Sequence, residues 1–249
     1  MGQIAAVVAA DHSVYHSAER VSTPNGKNPG MRRSIRERPL YGSDQSRFAR
    51  YLERREQRRP DNVARDLRRR VLAGLSGEVI EVGSGDGRSF EHYPPEVRRL
   101  LAVEPDPTAR AGAAPRARAA PFPIEVVGGD AEALPADDGA FDAAVMMGVL
   151  CSVPSPAAAL RELRRVLKSG GELRFWEHVG SRHATFRALQ RTIDRLFWTR
   201  ALGGCETTRD TLTAIRAAGF ELESVDRGFH SSSVLTITSA PYVLGVARR

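Results

Sequence analysis

Beyond residue 77 the chain alternates between two hydrophobic periods. Short β-branched or apolar runs at 78–82, 100–104, 124–127, 141–147 and 172–178 read as strands. Between several of them lie segments with helical spacing, at 87–93, 107–119 and 156–168, the second interrupted by Pro115. Strands that alternate with helices at this interval predict βαβ units and a parallel sheet, hence an α/β fold. After Gly180 the spacing predicts a long helix over 182–198, a further helix over 207–218, and two closing strands over 220–227 and 233–247. On the long helix Phe186, Leu189, Ile193, Leu196 and Phe197 share one face, and Arg187, Arg191 and Arg195 share another. Two readings of that helix stay open: a crossover helix with a solvated arginine stripe, or a basic amphipathic helix on a membrane surface.

Upstream the pattern differs. Residues 1–40 hold no sustained period and include a turn-rich string, so a disordered lead is expected. Residues 41–76 predict a helical lid, with Phe48, Leu52, Val63, Leu67 and Val71 spaced for one face and Pro60-Asp61-Asn62 dividing two helices. A core over 77–180 and a C-terminal part over 181–249 complete one domain.

Charge refines this picture. The 249-residue chain is formally +7, but residues 31–70 alone carry 14 arginines against six acids. The excess is therefore local, and a nucleic-acid partner is not expected on charge alone. No apolar run reaches the roughly 20 residues of a membrane span, so a cytoplasmic location is expected, with peripheral membrane contact as the alternative. The only cysteines are Cys151 and Cys205, too few for a disulfide scaffold.

The candidate chemistry begins at Glu81-Val82-Gly83-Ser84-Gly85-Asp86-Gly87, between a predicted strand and a predicted helix. The dinucleotide fingerprint would need glycine at Arg88, and the Gly-Lys-Ser/Thr of a P-loop is missing. An acid two residues before the first glycine would repel a pyrophosphate and favour a cation, such as the ammonium of an amino acid. Glu104 ends the second predicted strand, where an acid can accept both hydroxyls of a ribose. Asp130 lies just past the third strand, placed to reach an adenine amino group. A ligand made of adenine, ribose and an α-amino acid satisfies all three positions.

These stretches resemble the class I S-adenosylmethionine (SAM)-dependent methyltransferases. The glycine loop is similar to their first motif, Ala102-Val103-Glu104-Pro105-Asp106 to the second and Gly129-Asp130-Ala131-Glu132-Ala133-Leu134-Pro135 to the third. Phe141-Asp142-Ala143-Ala144-Val145 resembles their fourth strand. Val149-Leu150-Cys151-Ser152-Val153-Pro154 and residues 160–171 resemble the stretch through the next helix and its glycine turn. The resemblance, of the methyltransferase type 11 kind, implies a Rossmann-like sheet of seven strands, mostly parallel, with an antiparallel C-terminal hairpin. It implies SAM as cofactor, S-adenosylhomocysteine as product, and cofactor contacts from Glu81, Gly83, Ser84, Gly85, Asp86, Gly87, Glu104, Pro105, Asp130, Ala131, Met147 and Gly148.

Phe90-Glu91-His92-Tyr93-Pro94-Pro95, Leu150-Cys151-Ser152-Val153, Phe175-Trp176-Glu177-His178-Val179, Gly204-Cys205-Glu206-Thr207-Thr208-Arg209 and Tyr242-Val243-Leu244-Gly245-Val246-Ala247 further resemble the branch that includes thiol S-methyltransferases of animal membranes. The resemblance implies a small-molecule methyl acceptor, with a thiol as the first choice. A phospholipid or quinone acceptor is the alternative, and an RNA acceptor or a SAM-binding protein without catalysis ranks below it. That branch carries an N-terminal hydrophobic anchor, which is not expected here.

A thiol acceptor must react as a thiolate, from a free pKa near 8.5. His178, at the predicted end of the fifth strand, is the candidate base, against a plain hydrogen-bonding role in a loop. Glu177 alternates to the other face and reads as structural. Cys151 reads as a pocket-lining group or a small buried hydrophobe. Cys205 has no partner at metal-ligand spacing and the six histidines do not cluster with it in sequence, so no metal is expected.

Overall fold

The computed structural model describes residues 62–231 and 234–249. The expected disordered lead over 1–40 and residues 41–61 of the expected lid lie outside the described residues. The first described element is helix α1 (Asn62–Leu72). Its Leu67, Val71 and Leu72 are buried and pack with Val79, Phe90, Leu100 and Leu244.

Seven strands form one sheet in the order β3-β2-β1-β4-β5-β7-β6. They are β1 (Gly77–Val82), β2 (Val97–Val103), β3 (Ile124–Val127), β4 (Phe141–Met147), β5 (Leu167–His178), β6 (Glu221–Phe229) and β7 (Pro241–Arg248). The first five pair in parallel, and β7 pairs antiparallel with both β5 and β6. The α/β class and the antiparallel C-terminal hairpin thus stand as expected. Strand alternation sends Ile80, Val82, Leu101, Val103, Ala144 and Met146 to one face of the sheet. Val79, Leu100, Ala102, Ala143 and Val145 go to the other.

Helix α2 (Pro107–Ala119) starts where its sequence dictates: Asp106 accepts from the Thr108 and Ala109 N–H groups, and Pro107 stands at the first turn. Helix α3 (Pro156–Val166) repeats that logic with Ser155 and Pro156. Helix α4 (Ala184–Ile193) continues through a π turn (Asp194–Trp198) and a last helical turn (Thr199–Ala201). Helix α5 (Thr211–Ala217) is capped by Asp210.

Three expectations are corrected. The helix expected over 87–93 is only a 3₁₀ turn (Phe90–His92), because the glycine loop runs through Gly87 and Pro94-Pro95 come at once. The strand expected over 233–247 begins only at Pro241, after a 3₁₀ helix (Val234–Ser239). The carbonyl of Thr238 accepts from Gln190 Nε2 at 2.8 Å instead of a ladder partner. On α4 the buried side chains are Gln190 and, in the π turn, Asp194 and Trp198, whereas Leu189, Leu196 and Phe197 are exposed. Gln190 and Asp194 turn inward because each meets specific partners: Gln190 bonds Ser181 N and the Val179 carbonyl, and Asp194 accepts from Thr207 Oγ1. Among the described residues no helix is long and apolar enough to cross a membrane.

The amino-terminal end of the sheet is fastened by Asp142. Its carboxylate accepts from Lys168 Nζ at 2.5 Å and from Glu78 N at 2.8 Å, joining β4, β5 and β1. Burial opposes that charge, but the Lys168 and Glu78 hydrogen bonds outweigh it and hold the Asp142 carboxyl below its usual range. Asp142→Ala is expected to lower stability by about 1–2 kcal/mol, measured by urea unfolding. The contribution it removes is present above a carboxylate's ordinary pKa and fades as pH falls. Cofactor affinity should not move, because Asp142 sits at the end of the sheet opposite the strand carboxyl ends.

Candidate active site

Strand order reverses between β1 and β4, which lie side by side. In an open α/β sheet the crevice beyond the carboxyl ends at such a point takes the ligand. The glycine loop leaves β1 there. Gly83, Gly85 and Gly87 have φ of +74°, +56° and +78°, a region that L side chains rarely adopt. Gly83 also has no room for a Cβ, which would strike Val149 of the segment after β4. At Gly85 and at Gly148 (φ +72°) an added Cβ would meet nothing of the described residues within 4 Å. Both therefore border open space, as glycines do where a ligand approaches the backbone closely.

Glu81, at the end of β1, is buried. Ser89 Oγ donates to its Oε2 at 2.7 Å, and the Tyr93 hydroxyl donates to the same oxygen at 3.1 Å. Burial pushes the Glu81 carboxyl up to about 7, despite those two donors and the nearby Arg68. Glu104, just past β2, is also buried and also pushed upward by burial. Its Oε2 accepts from Gly85 N and its Oε1 from Asp106 N, each at 2.9 Å. One carboxylate thus braces both the glycine loop and the start of α2. A carboxylate has about four acceptor positions, so two remain on Glu104 after these bonds.

Asp130 is exposed past β3, where Oδ1 accepts from Glu132 N at 2.9 Å. Ala131 beside it is buried, Pro105 comes directly after Glu104, and Met147 ends β4. Among the described residues Ser84 Oγ, in the middle of the loop, is buried with no hydrogen-bond partner. Asp86 is engaged differently: Arg88 Nε lies 3.0 Å and Arg116 Nη1 3.5 Å from its carboxylate. The structure therefore brings Glu81, Ser84, Gly85 and Glu104 together at the carboxyl ends of β1 and β2, with Asp130 just past β3 and Gly148 just past β4.

The neighbouring side lies past β4 and β5. Glu177 is fully buried and accepts the N–H groups of Val149, Leu150 and Cys151 at 2.9, 3.0 and 3.2 Å. That cap fixes the turn after β4, a structural role as its strand face implies. His178 is the last residue of β5, and its Nδ1 lies 3.8 Å from Cys151 Sγ and 3.7 Å from Cys205 Sγ. The two sulfurs are 3.7 Å apart. The reading that no histidine clusters with Cys205 is thus overturned: the fold brings together residues that no sequence spacing connects. Within the pair, hydrogen bonding to Cys205 and burial push the Cys151 thiol up, and bonding to Cys151 draws Cys205 down. Burial disfavours the His178 cation, yet its contact with Cys151 and the Glu177 charge carry it upward overall. Beside this cluster, Arg191, Arg195, Arg200, Asp194 and Glu206 line a separate open cleft of about 480 Å³.

Sequence reasoning did not find Ser89 and Tyr93 as the partners of Glu81. Their only signal was position, eight and twelve residues beyond it.

A switch-point crevice, a left-handed glycine loop and paired strand-end acids mark a Rossmann-like α/β fold with its ligand crevice at the carboxyl ends of the strands. Residues 80–175 match the methyltransferase domain family. The chain is 31% identical over 181 residues to thiol S-methyltransferase TMT1B of Homo sapiens, covering 71% of this chain and 73% of that one. A 105-residue stretch is 38% identical to demethylmenaquinone methyltransferase of Thermobifida fusca, covering 41% of this chain and 44% of that one. Among solved structures, a SAM-dependent methyltransferase of Thermotoga maritima superposes with a TM-score of 0.61 at 25% identity, over 84% of this chain and 99% of that one. This chain belongs to the class I SAM-dependent methyltransferase family, and it is an enzyme that uses SAM to methylate a small molecule.

Proposed function

We propose that the acceptor is a small thiol and the product its methyl thioether. The observation that carries this reading is a histidine at the end of β5 gathered with Cys151, just past β4, and Cys205, at the same carboxyl end of the sheet as the glycine loop, in a chain whose relatives include thiol S-methyltransferases. The fit of SAM rests on the protein's own atoms: an orphaned Ser84 hydroxyl, two glycines facing open space, and spare acceptor positions on Glu104. When bound, SAM supplies an electrophilic methyl group on a sulfonium.

The chain's residues divide the remaining work. Both donors to Glu81 land on Oε2, so Oε1 is the oxygen for the cofactor's ammonium. Glu104 takes the two ribose hydroxyls on its remaining acceptor positions, and Asp130 takes the adenine amino group. The Ser84 hydroxyl and the open backbone at Gly85 and Gly148 border the amino-acid part, while Pro105, Ala131 and Met147 border the nucleoside. Asp86, held by Arg88 and Arg116, keeps the loop in shape. Because the leaving sulfur departs neutral, little acid catalysis is needed, and orientation of the acceptor supplies most of the acceleration. His178, at the end of β5, is the side chain on the acceptor side that favours the acceptor's thiolate form.

The test is methyl transfer from radiolabelled SAM to small thiols, to phospholipid vesicles and to total RNA in parallel. Transfer to thiols alone is expected. Transfer to vesicles alone would replace the thiol by a lipid acceptor and draw attention to exposed Leu189, Leu196 and Phe197.

Glu81 gives a second expectation. An ammonium requires its ionised form, which is half populated at its pKa of about 7. SAM affinity should therefore rise roughly fivefold from pH 6 to pH 7, with a proton released on binding. Calorimetry in buffers of different ionisation enthalpy measures both, and Glu81→Gln should flatten the slope. A slope unchanged in that variant would show that another group is titrating.

A further inference from the structure

We propose that Cys151, His178 and Cys205 form a zinc site whose open fourth position takes the acceptor thiol; this rests on the thiol reading above. With zinc–sulfur bonds near 2.3 Å and zinc–nitrogen bonds near 2.0–2.1 Å, a tetrahedral site sets its sulfurs about 3.8 Å apart and sulfur from nitrogen about 3.6 Å apart. Here the sulfurs are 3.7 Å apart, and Nδ1 is 3.8 Å from one and 3.7 Å from the other. The three atoms thus already stand where a tetrahedral cation would hold them. A disulfide would instead require the sulfurs to close from 3.7 Å to about 2.0 Å.

The surroundings hold this arrangement in place. The Cys151 amide is bonded to Glu177, and the Cys151 carbonyl accepts from Glu206 N at 2.8 Å. Gly204 has φ +92°, and a Cβ there would come within 2.8 Å of the Ser152 carbonyl. Only glycine lets the turn carrying Cys205 approach the turn carrying Cys151 this closely. Trp198 packs with both cysteines in a small separate core.

The charge balance also suits burial. Zinc(II) with two thiolates and a neutral imidazole is uncharged, whereas either thiolate alone in this interior would be unpaired. Thiolate and imidazole donors favour zinc over the hard cations. Among the described residues no fourth thiol, imidazole or carboxylate joins the group, so one position stays open, as in catalytic zinc sites.

The chemistry closes without another reagent. Zinc binding releases the two cysteine protons to water. The acceptor thiol enters the open position as thiolate and gives its proton to solvent. Its electron pair forms the new carbon–sulfur bond while the methyl–sulfonium bond breaks, its pair staying on the departing sulfur. The uncharged thioether is a poor ligand and leaves.

The experiment uses full-length, untagged protein, loaded with zinc, dialysed against metal-free buffer and analysed for metal content. About one zinc per chain is expected in the wild type. Cys205→Ser and Cys151→Ser should each fall below a tenth of that, with circular dichroism checking that they are folded. Cobalt loading of the wild type gives a readout that does not depend on any variant: a thiolate-to-cobalt charge-transfer band that shifts when a small thiol is added. Retention of zinc by both folded serine variants, or wild-type protein that binds no zinc and methylates thiols equally well in chelator, would overturn the site. The latter result would leave the thiol-methylating reading intact. Conversely, a zinc-loaded protein that methylates no thiol would overturn the acceptor reading, while a cobalt band insensitive to thiols would overturn the fourth-position assignment.

Discussion

His178→Ala is expected to lower turnover more than 100-fold while changing SAM affinity less than about twofold. The size comes from what the imidazole controls. At neutral pH only a few per cent of a free thiol with a pKa near 8.5 is thiolate, and only the thiolate attacks. Without a group that moves this equilibrium at the strand end, the enzyme works with that minor fraction and with a displaced acceptor. The SAM contacts proposed for Glu81, Glu104 and the glycine loop lie on β1 and β2, whereas His178 ends β5. The loss should therefore fall on kcat and on the KM for thiol, not on the cofactor. Equilibrium dialysis with SAM and a steady-state thiol series separate the two. Normal turnover in the variant would remove His178 from the mechanism.

The same residue shows where sequence reasoning stops. Its place at the end of β5 was legible, because residues 172–178 form an apolar run bounded by glycine and a turn. Strands β3 and β4 were legible to the residue for the same reason, and α2 because Asp106-Pro107 is a start signal in its own right. Glu81, Gly85 and Glu104 were legible because a strand-to-glycine-loop transition fixes backbone geometry locally. The neighbours of His178 were not. Cys151 and Cys205 lie 27 residues away on either side of it, joined only by the paths of β4, β5 and the turn after α4. The facing of α4 failed for a related reason. Periodicity sees apolar side chains, but Gln190 and Asp194 are drawn inward by hydrogen bonds to Ser181, Val179, Thr207 and Thr238, which no local pattern encodes.

Glu104→Ala is expected to weaken SAM binding by roughly a hundredfold or more. Two hydroxyl donors to one ionised acceptor are each worth about 1.5–3 kcal/mol, and even the lower figure, doubled, is about 3 kcal/mol. The variant also strips the Gly85 and Asp106 amides of their acceptor, since these donate to Glu104 at 2.9 Å. Part of any loss would therefore come from a loosened glycine loop. A cofactor analogue lacking the ribose 2′-hydroxyl separates the two contributions. Against the wild type the analogue should bind about tenfold more weakly than SAM, because one carboxylate acceptor position is left without a donor. Against Glu104→Ala the two ligands should bind almost equally, since there is no carboxylate left to miss the hydroxyl. The difference of those differences isolates the contact between carboxylate and sugar from the bracing of the loop. An analogue penalty of the same size in both proteins would leave Glu104 as a brace for the loop alone and move ribose recognition to another residue.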